Sequence, residues 1–439
     1  MVSRRNRRTP TAAGLVLVAV APLAACGGGD ATDGSGDGTD PDAFTVLTAN
    51  ENETLEAQLT ALAENQCKAE NEALPLEHQK TAQADTVQKV TLLASQDALP
   101  AHFIAGTAMV QPDGDLGAAG MVLDYEELLT QEDAWDNVLP AAASTVEHIY
   151  GGMVSLPYQY NLEGIWYNKA IFAELGISEP QTFDQLIAAG DELLAAGYQP
   201  FAQGGAAGWP LTRLIGMYIF RNVGPDAMEK IRDGEAELTD PEYLAGAEAL
   251  QQMAESGFFG EGFISLEPDA ATAAFLSGRA AMKYDGTWML SSINDETQNQ
   301  IGVENVGFIP FPEVEGGAGT ADQWPANAGA AMAANPDAAG PKVADWIACI
   351  AENYGQQALS DAGVLSGFRV NGEVTDIPET TKLIQEQLAE IDETVAWFEA
   401  LFDSKSNSLA STNVTLLTTG QMTPEQYMAD LQASIDAAR

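Results

Sequence analysis

The chain has 439 residues, with 19 Lys or Arg against 64 Asp or Glu, so its formal net charge at neutral pH is −45. Such an excess of negative charge repels nucleic acid and anionic lipid headgroups, which excludes a role in following a phosphate backbone. With 46% hydrophobic residues the chain is globular rather than disordered. At this length we expect two domains rather than one core.

The first 25 residues have the pattern of a secretory signal peptide. Four arginines within the first eight residues precede an apolar stretch, Ala12 to Leu23, that is too short to span a bilayer. The sequence Leu-Ala-Ala-Cys that ends at Cys26 resembles the lipobox of bacterial lipoproteins, which implies cleavage before Cys26 and a diacylglycerol on its thiol. A plain signal peptide and a membrane anchor are the alternatives. Cleavage leaves 15 basic residues against 64 acidic ones, a formal charge of −49.

Residues 26–42 are predicted to be a lipidated Cys26 followed by a flexible acidic linker. This segment is rich in Gly, Asp, Ser and Thr and offers almost nothing that could pack in a core. A chain of this composition and length has a root-mean-square reach of about 22 Å.

The elements that follow indicate an α/β fold. Residues 44–50 and 101–106 are typical of strands, and residues 53–70 and 85–95 have helical periodicity. The order strand, helix, helix, strand predicts a domain with a largely parallel sheet. The later elements are a strand at 164–168, a helix at 170–177, a mainly helical stretch at 182–257, a helix and short strand within 270–290, a strand within 306–319, one small-residue strand within 326–336, a helix at 341–363 and a helical tail.

Sequence motifs for enzymatic chemistry are absent. The chain has no G-x-S-x-G, H-E-x-x-H, C-x-x-C or G-x-G-x-x-G, and no Gly-Lys pair from which to build a phosphate loop. The three histidines (His78, His102 and His148) are far apart in the sequence, so we expect no transition-metal site and no cofactor. Carboxylate pairs for glycoside hydrolysis stay open, because 64 acidic residues always offer such pairs.

Six of the seven tryptophans fall into two groups. Three lie inside apolar periodic runs that are typical of a core: Trp166, Trp346 and Trp397. Three others lie in loop-like settings beside Gly, Ala or polar residues: Trp209, Trp288 and Trp324. An indole face matches the C–H face of a pyranose ring, and neighbouring polar groups bind its hydroxyls. We therefore expect the second group to line a small-molecule cleft, with packing in a core as the alternative for any one of them.

Two other cysteines, Cys67 and Cys349, remain. If the protein is exported, they are in an environment that permits disulfide formation. A disulfide between them would close a very long loop, and two buried free thiols are the alternative.

The segments LPYQYNLEGIWYNKAIFAELG (156–176) and PQTFDQL (180–186) carry a family resemblance. Together they resemble the core signature of the family 1 extracellular solute-binding proteins, the sugar-capturing components of ABC importers, with maltose-binding protein as a distant relative. Looser matches are FLSGRAAMKYDGTW (275–288) and the stretch from Thr419 to Glu425. The resemblance covers nearly the whole chain after the signal peptide.

The resemblance implies a two-lobed α/β fold of the type II periplasmic-binding-protein class, with a hinge between the lobes. It places residues 43–160 and 326–375 in the N-terminal lobe and residues 161–325 and 376–439 in the C-terminal lobe. Cys67 and Cys349 then share a lobe, which makes the disulfide geometrically possible.

The resemblance also implies a set of ligand-binding residues in the cleft. Trp288 matches the family's ring-stacking position, and Trp209 matches a cleft-lining region. Asn161 and Glu163 are expected to bind hydroxyl groups near the hinge, where the backbone leaves the first lobe. The full set is Asn50, Glu51, Asn52, Thr107, Tyr160, Asn161, Glu163, Trp209, Trp288 and Trp324. The first three follow a strand at the sheet edge where α/β folds bind ligands.

The function implied is that of an extracytoplasmic carbohydrate-binding protein, with an oligosaccharide as the expected ligand. Hinge closure would present the solute to the membrane subunits of an ABC importer. We expect no catalysis, and a monomer held by lipid at the outer face of the bacterial cell membrane. Two alternatives stay open: another neutral solute such as a monosaccharide or polyol derivative, and a surface glycoside hydrolase.

Overall fold

The computed structural model of the protein describes residues 38–50, 52–391 and 394–439. The expected signal peptide, Cys26 and most of the expected linker lie outside the described residues, as does Glu51. Residues 38–42, which we expected to belong to the flexible linker, are instead attached to the fold. The Asp40 carboxylate accepts hydrogen bonds from the backbone N–H groups of Lys342 and Val343, at 2.9 and 3.2 Å. An acidic side chain is favourable there because the first N–H groups of a helix have no partner within the helix.

The described residues form ten strands in two sheets. In chain order they are β1 (Phe44–Ala49), β2 (Leu76–Thr81), β3 (His102–Ala105), β4 (Asn161–Asn168), β5 (Gln199–Phe201), β6 (Ala280–Gly286), β7 (Val306–Ile309), β8 (Trp324–Asn327), β9 (Ala331–Ala334) and β10 (Thr394–Val395).

Seventeen α-helices surround these sheets in the described part of the chain. They are α1 (Glu53–Glu64), α2 (Lys68–Ala73), α3 (Thr86–Ser95), α4 (Thr107–Val110), α5 (Tyr125–Gln131), α6 (Pro140–Tyr150), α7 (Lys169–Leu175), α8 (Phe183–Ala195), α9 (Trp209–Val223), α10 (Ala227–Asp233), α11 (Pro241–Glu255), α12 (Pro268–Leu276), α13 (Leu290–Asn294), α14 (Pro341–Ala362), α15 (Glu379–Glu390), α16 (Ser404–Thr418) and α17 (Pro424–Ala438).

The helix boundaries follow local chemistry. Asn168 caps α7 and Asp403 caps α16 by accepting hydrogen bonds from backbone N–H groups of the first turn. Gly176 ends α7 with a positive φ of 72°, a conformation that glycine adopts without steric cost. The helix expected at 53–70 is divided into α1 and α2, because the chain turns at residues 65–67.

The first lobe is built on the sheet β2-β1-β3-β9. The strands β1, β2 and β3 are parallel, which agrees with the largely parallel sheet expected from β1 and β3, and β9 joins antiparallel to β3. One hydrophobic core contains residues of this sheet and of helices α1, α5, α6 and α14. Strand β2 had no sequence prediction, because its residues LEHQKT are mostly polar and it lies at the sheet edge.

The second lobe is built on a six-stranded sheet with the order β10-β8-β4-β6-β5, in which β7 also pairs with β4. Its central strand β4 is buried along its whole length and pairs antiparallel with β6 on one side. On the other side the first two residues of β4 pair with β8 and the last four pair with β7. Two hydrophobic clusters lie on this sheet and on helices α7–α12, α15, α16 and α17.

The stretch 326–336, expected as one strand, contains two strands that belong to different lobes. Strand β8 pairs with β4 in the second sheet, and β9 pairs with β3 in the first. The chain therefore passes between the sheets at residues 328–330, whereas the expected lobe boundary at residue 326 falls inside β8. The tripeptide Ala-Gly-Ala at 328–330 separates the two strands, and Gly329 has a positive φ of 82°.

Two further contacts bear on the arrangement of the fold. Cys67 and Cys349 form a disulfide that joins the start of α2 to α14 within the first lobe. Between the lobes, His148 Nε2 on α6 lies 3.0 Å from a carboxylate oxygen of Glu229 on α10, a contact that is an ion pair when the imidazole is protonated. None of the helices in the described residues is both long enough and apolar enough to cross a bilayer.

Candidate functional site

A cavity of about 1140 Å³ lies between the two lobes and is lined by residues from both. Typical small-molecule sites occupy about 300–1,000 Å³, so this cavity has room for a ligand at or above the upper end of that range. The first lobe contributes the carboxyl ends of β1 and β3, and the second lobe contributes α9, α12, α16 and the segments after β6 and β10.

The first-lobe wall follows the rule for α/β sheets, in which ligands bind at the carboxyl ends of parallel strands. Asn50 and Asn52 follow β1, and Thr107 follows β3; all three line the cavity. Asn52 precedes α1 without using its side chain to cap that helix, so its amide is not engaged there. Glu51 lies outside the described residues, and its place in the site stays a prediction.

The second-lobe wall is aromatic. Trp209 begins α9 and Trp288 follows β6; both line the cavity, and their rings meet edge to face with centroids 5.9 Å apart. A side chain at Gly286 would overlap the Trp288 ring, so the glycine of the Gly-Thr-Trp stretch makes room for the indole. Trp397 completes this wall from the segment after β10.

A buried charged cluster lies at the base of the aromatic wall. The Arg213 guanidinium forms ion pairs with Glu163, at 3.0 Å from Nε, and with Glu399. Its carbon Cζ lies 5.5 Å from the centroid of Trp209 and 5.1 Å from that of Trp397, within the range of a cation–π contact. The Arg213 side chain is 12% exposed, whereas those of Glu163 and Glu399 are 1% and 2% exposed. Arg213 and Glu399 line the cavity.

The pKa values of this cluster reflect burial and pairing. Burial raises the pKa of Glu163 above its usual value, although Arg213 and the Asn327 amide oppose that shift. Burial alone would lower the pKa of Arg213, but the two carboxylates hold it above its usual value. The guanidinium therefore stays charged, and its charge is balanced by two acidic partners.

A second buried ion pair supports the same wall. Lys283 and Asp285 lie on one face of β6 with their charged atoms 2.7 Å apart, and both side chains are almost fully buried. Asp285 lines the cavity and Lys283 does not. Lys283 therefore holds the Asp285 carboxylate where its remaining oxygen lone pairs can accept hydrogen bonds from a solute.

The described cavity lining has one cation, Arg213, and four carboxylates: Asp269, Asp285, Asp295 and Glu399. Amides and hydroxyls make up most of the remaining polar lining, including Gln83, Gln159, Ser292, Gln298 and Asn407. Uncharged donors and acceptors beside indole faces fit a polyhydroxylated solute with apolar C–H faces.

Some of the residues predicted for the site do not line the cavity. Trp324 is 6% exposed and packs on Phe308 with ring centroids 5.3 Å apart, because β8 places it inside the second lobe. Tyr160 is half-buried away from the cavity, and its backbone N–H donates to Leu365. Asn161 and Glu163 lie behind the lining residues, where other protein groups bind their polar atoms.

Sequence reasoning also missed residues that do line the cavity, above all Arg213 and Trp397. Trp397 lies in the apolar run VAWFEALF, which is typical of a core segment. In the structure this run packs against both lobes: Trp397 and Ala400 belong to the first core, and Phe398 and Phe402 to the second. Arg213, one turn after Trp209, offered a signal, because a cation there lies on the same helix face as the indole.

Comparison with known proteins agrees with this geometry. The sequence profile of bacterial extracellular solute-binding proteins matches residues 52–357. A probable sugar-binding periplasmic protein of Mesorhizobium japonicum is 28% identical over 177 residues, which cover 40% of this chain and 42% of that protein. A probable sugar-binding periplasmic protein of Rhizobium meliloti is 24% identical over 344 residues, which cover 74% and 78% of the two chains. The chain spans less than half the length of the first curated relatives it matches.

Solved structures share the fold. A chitin oligosaccharide binding protein superposes with a TM-score of 0.80 at 25% identity, over 90% of this chain and 98% of that one. The two-lobed α/β fold implied by the sequence resemblance is confirmed by this likeness and by the two sheets described above.

Proposed function

The chain belongs to the family of bacterial extracellular solute-binding proteins, and from this premise we propose that it binds an oligosaccharide outside the cytoplasm and delivers it to an ABC importer. One observation carries the proposal: the inter-lobe cavity combines Trp209 and Trp288 of the second lobe, and Trp397 of a run that packs against both lobes, with amide and hydroxyl groups from both lobes. This combination suits carbohydrate rings, whose apolar faces stack on indoles while their hydroxyls bind polar side chains.

Transport by such a protein depends on closure of the lobes around the solute. A solute that contacts both walls binds the closed arrangement more strongly than the open one, and therefore shifts the population toward closure. A Kd in the micromolar range corresponds to a binding free energy of about −8 kcal/mol. Two or three stacked rings and several hydroxyl hydrogen bonds are sufficient for such a value. The closed form is the one that the importer's membrane subunits would recognise.

A thermal-shift screen over mono-, di- and trisaccharides, followed by calorimetry on the hits, tests the proposal. We expect oligosaccharides to raise the melting temperature and to bind in a one-to-one ratio, without release of new reducing ends. Preference for a monosaccharide or polyol would support the alternative of a smaller neutral solute. New reducing ends during incubation would indicate a glycoside hydrolase, and the absence of any shift would contradict a carbohydrate ligand.

We further propose that residues 1–25 are removed as a signal peptide, that Cys26 carries the lipid anchor and that the protein acts as a monomer. The basic start, the apolar stretch and the Leu-Ala-Ala-Cys sequence support this export route. In a bacterial host, the wild-type protein should carry the added mass of a diacylglycerol at residue 26, and Cys26→Ser should lack it. A wild-type protein without this added mass would contradict lipidation. Size-exclusion chromatography with light scattering would test the monomer.

A further inference from the structure

The two lobes touch where helix α6 ends. This helix belongs to the first lobe, because its residues Ile149 and Tyr150 lie in the first core. Helix α10 belongs to the second lobe, because its residue Met228 lies in the second core. His148 on α6 and Glu229 on α10 nevertheless approach each other, with the imidazole Nε2 3.0 Å from a carboxylate oxygen. The pair therefore joins elements of different lobes.

A second contact places the end of α6 at the lobe interface. The Gln111 amide, directly after α4, donates to the backbone oxygen of Ile149 at 2.9 Å and to that of Ala400 at 3.2 Å. Ile149 is the neighbour of His148 on α6, and Ala400 belongs to the run after β10 that packs against both cores. These hydrogen bonds involve no titratable group, so the contact of His148 with Glu229 is the part of this interface that responds to pH.

The charged groups around His148 favour its protonated form. The hydrogen bond to Glu229 raises the pKa of His148 above its usual value, whereas partial burial and the charge of Arg232 on α10 act in the opposite direction. On its own helix the adjacent charged residue is Glu147, and the end of α4 presents the uncharged amide of Gln111. The free carbonyl groups in the last turn of α6 also favour a cation at this position.

The cations of α10 do not replace His148 as the partner across the interface. Lys230 and Arg232 each form an ion pair, at 2.8 Å, with an acidic residue close by in the sequence. Glu229 meets His148 instead. A lobe orientation that keeps this contact therefore binds a proton on the imidazole more tightly than an orientation that lacks it. The contact stabilises its orientation at low pH, and this stabilisation is lost as the pH rises through the raised pKa.

We propose that His148 and Glu229 form a latch, which holds the lobes in the described orientation when the imidazole is protonated and releases them when it is neutral. The protonated ring makes a charge-assisted hydrogen bond to the carboxylate, and a neutral ring makes only a weaker one. The two side chains are 49% and 24% exposed, so the latch changes the ratio of orientations only about two- to fivefold.

The latch has a consequence for solute capture. The apparent affinity of a solute held between the lobes depends on how often the lobes have the orientation that binds it. Capture would therefore vary with the pH outside the cell. This consequence rests on the proposed function, whereas the latch itself does not.

Single-molecule FRET between dyes on Gln131→Cys in α5 and Glu255→Cys in α11 tests the latch. Both positions are exposed, and the two helices belong to different lobes. A Cys26→Ser background keeps the dyes at these two sites. Without ligand, the ratio of the latched orientation to the others should fall about two- to fivefold between about pH 5.5 and about pH 8.5.

Substitutions of the two partners separate charge from shape. His148→Gln should show the high-pH distribution at both pH values, because it cannot be protonated. His148→Lys should show the low-pH distribution at both, because it is a cation throughout this range. Glu229→Gln should also lose the response to pH, because it removes the carboxylate that the imidazolium attracts.

Two matched controls should keep the wild-type response to pH. His78→Gln removes another histidine of the first lobe, whose Nε2 contacts the Thr60 hydroxyl within that lobe. Glu147→Gln removes an exposed carboxylate directly beside His148. Circular dichroism at both pH values would verify that each variant is folded.

The other outcomes would overturn the latch. A wild-type distribution that does not change with pH would do so, as would a persisting response in both His148→Gln and Glu229→Gln. Identical distributions in His148→Lys and His148→Gln would show that the ion pair is not the cause. All of these measurements are made without ligand, so failure of the wild type to bind any sugar would contradict the proposed function and not the latch.

Discussion

Replacing Trp288 by alanine gives the most direct test of the aromatic wall. Trp288 follows β6, meets Trp209 edge to face at 5.9 Å and is half-buried, so part of its ring faces the cavity. Gly286 provides the space that this ring occupies. The substitution removes the indole and leaves the polar lining in place, so it isolates the contribution of stacking to solute affinity.

The expected loss follows from the area that a stacked ring covers. A sugar ring lying on an indole removes roughly 80 Å² of apolar surface from water, about half of what a tryptophan can bury in full. At about 25 cal/mol per Å², this contact is worth about 2 kcal/mol. A loss of that size weakens the Kd about thirtyfold.

Isothermal titration calorimetry on the two proteins, with an oligosaccharide found in the screen, measures this change. Trp324→Phe is the control, because Trp324 lies in the core of the same lobe and does not line the cavity. This variant should lower the melting temperature, because it removes apolar surface that is buried in the core on folding. It should leave the Kd within about twofold, because that surface does not contact the solute. A wild-type Kd in Trp288→Ala, or an equal loss in Trp324→Phe, would refute the assignment of the aromatic wall.

Three further predictions concern charge and stability. His102 is fully buried between the hydroxyls of Tyr125 and Tyr158, and burial lowers its pKa to about 3. Below about pH 6.5 His102 therefore binds a proton in the unfolded chain but not in the folded protein. As the pH falls below this value, the free energy of unfolding should decrease by about 1.4 kcal/mol per pH unit. Chemical denaturation of His102→Asn should show a weaker dependence of this free energy on pH. The double variant Cys67→Ser with Cys349→Ser should lower the free energy of unfolding by about 2–5 kcal/mol. Its Kd should be unchanged, because the disulfide lies within the first lobe and does not line the cavity. A weaker Kd by calorimetry would show that solute affinity depends on the disulfide. An oligosaccharide with a uronic acid should bind at least about tenfold more weakly than its neutral parent, because the one cation in the described lining is already paired twice; equal affinities would count against the charge assignment.

The sequence alone determined the class of fold and the region of the site. The order of the predicted strands and helices indicated a largely parallel first sheet. The segment around LEGIWYN indicated the family. Polar residues after β1 and β3 could be placed at the cavity because carboxyl ends of parallel strands share one edge of a sheet. Trp209 and Trp288 were identified because an indole beside glycine and polar residues is unusual in a core.

Only the tertiary structure decided which side chains face the cavity. Trp324 was expected at the cavity and lies in the core, whereas Trp397 was expected in a core and belongs to one while also lining the cavity. Glu163 was expected to bind solute, and it instead pairs with Arg213, fifty residues away in the sequence. Local periodicity reports whether a residue is buried, but it does not report which of two cores or which wall of a cavity buries it. That choice depends on how the chain crosses between the lobes, and such crossings leave no periodic pattern in the sequence.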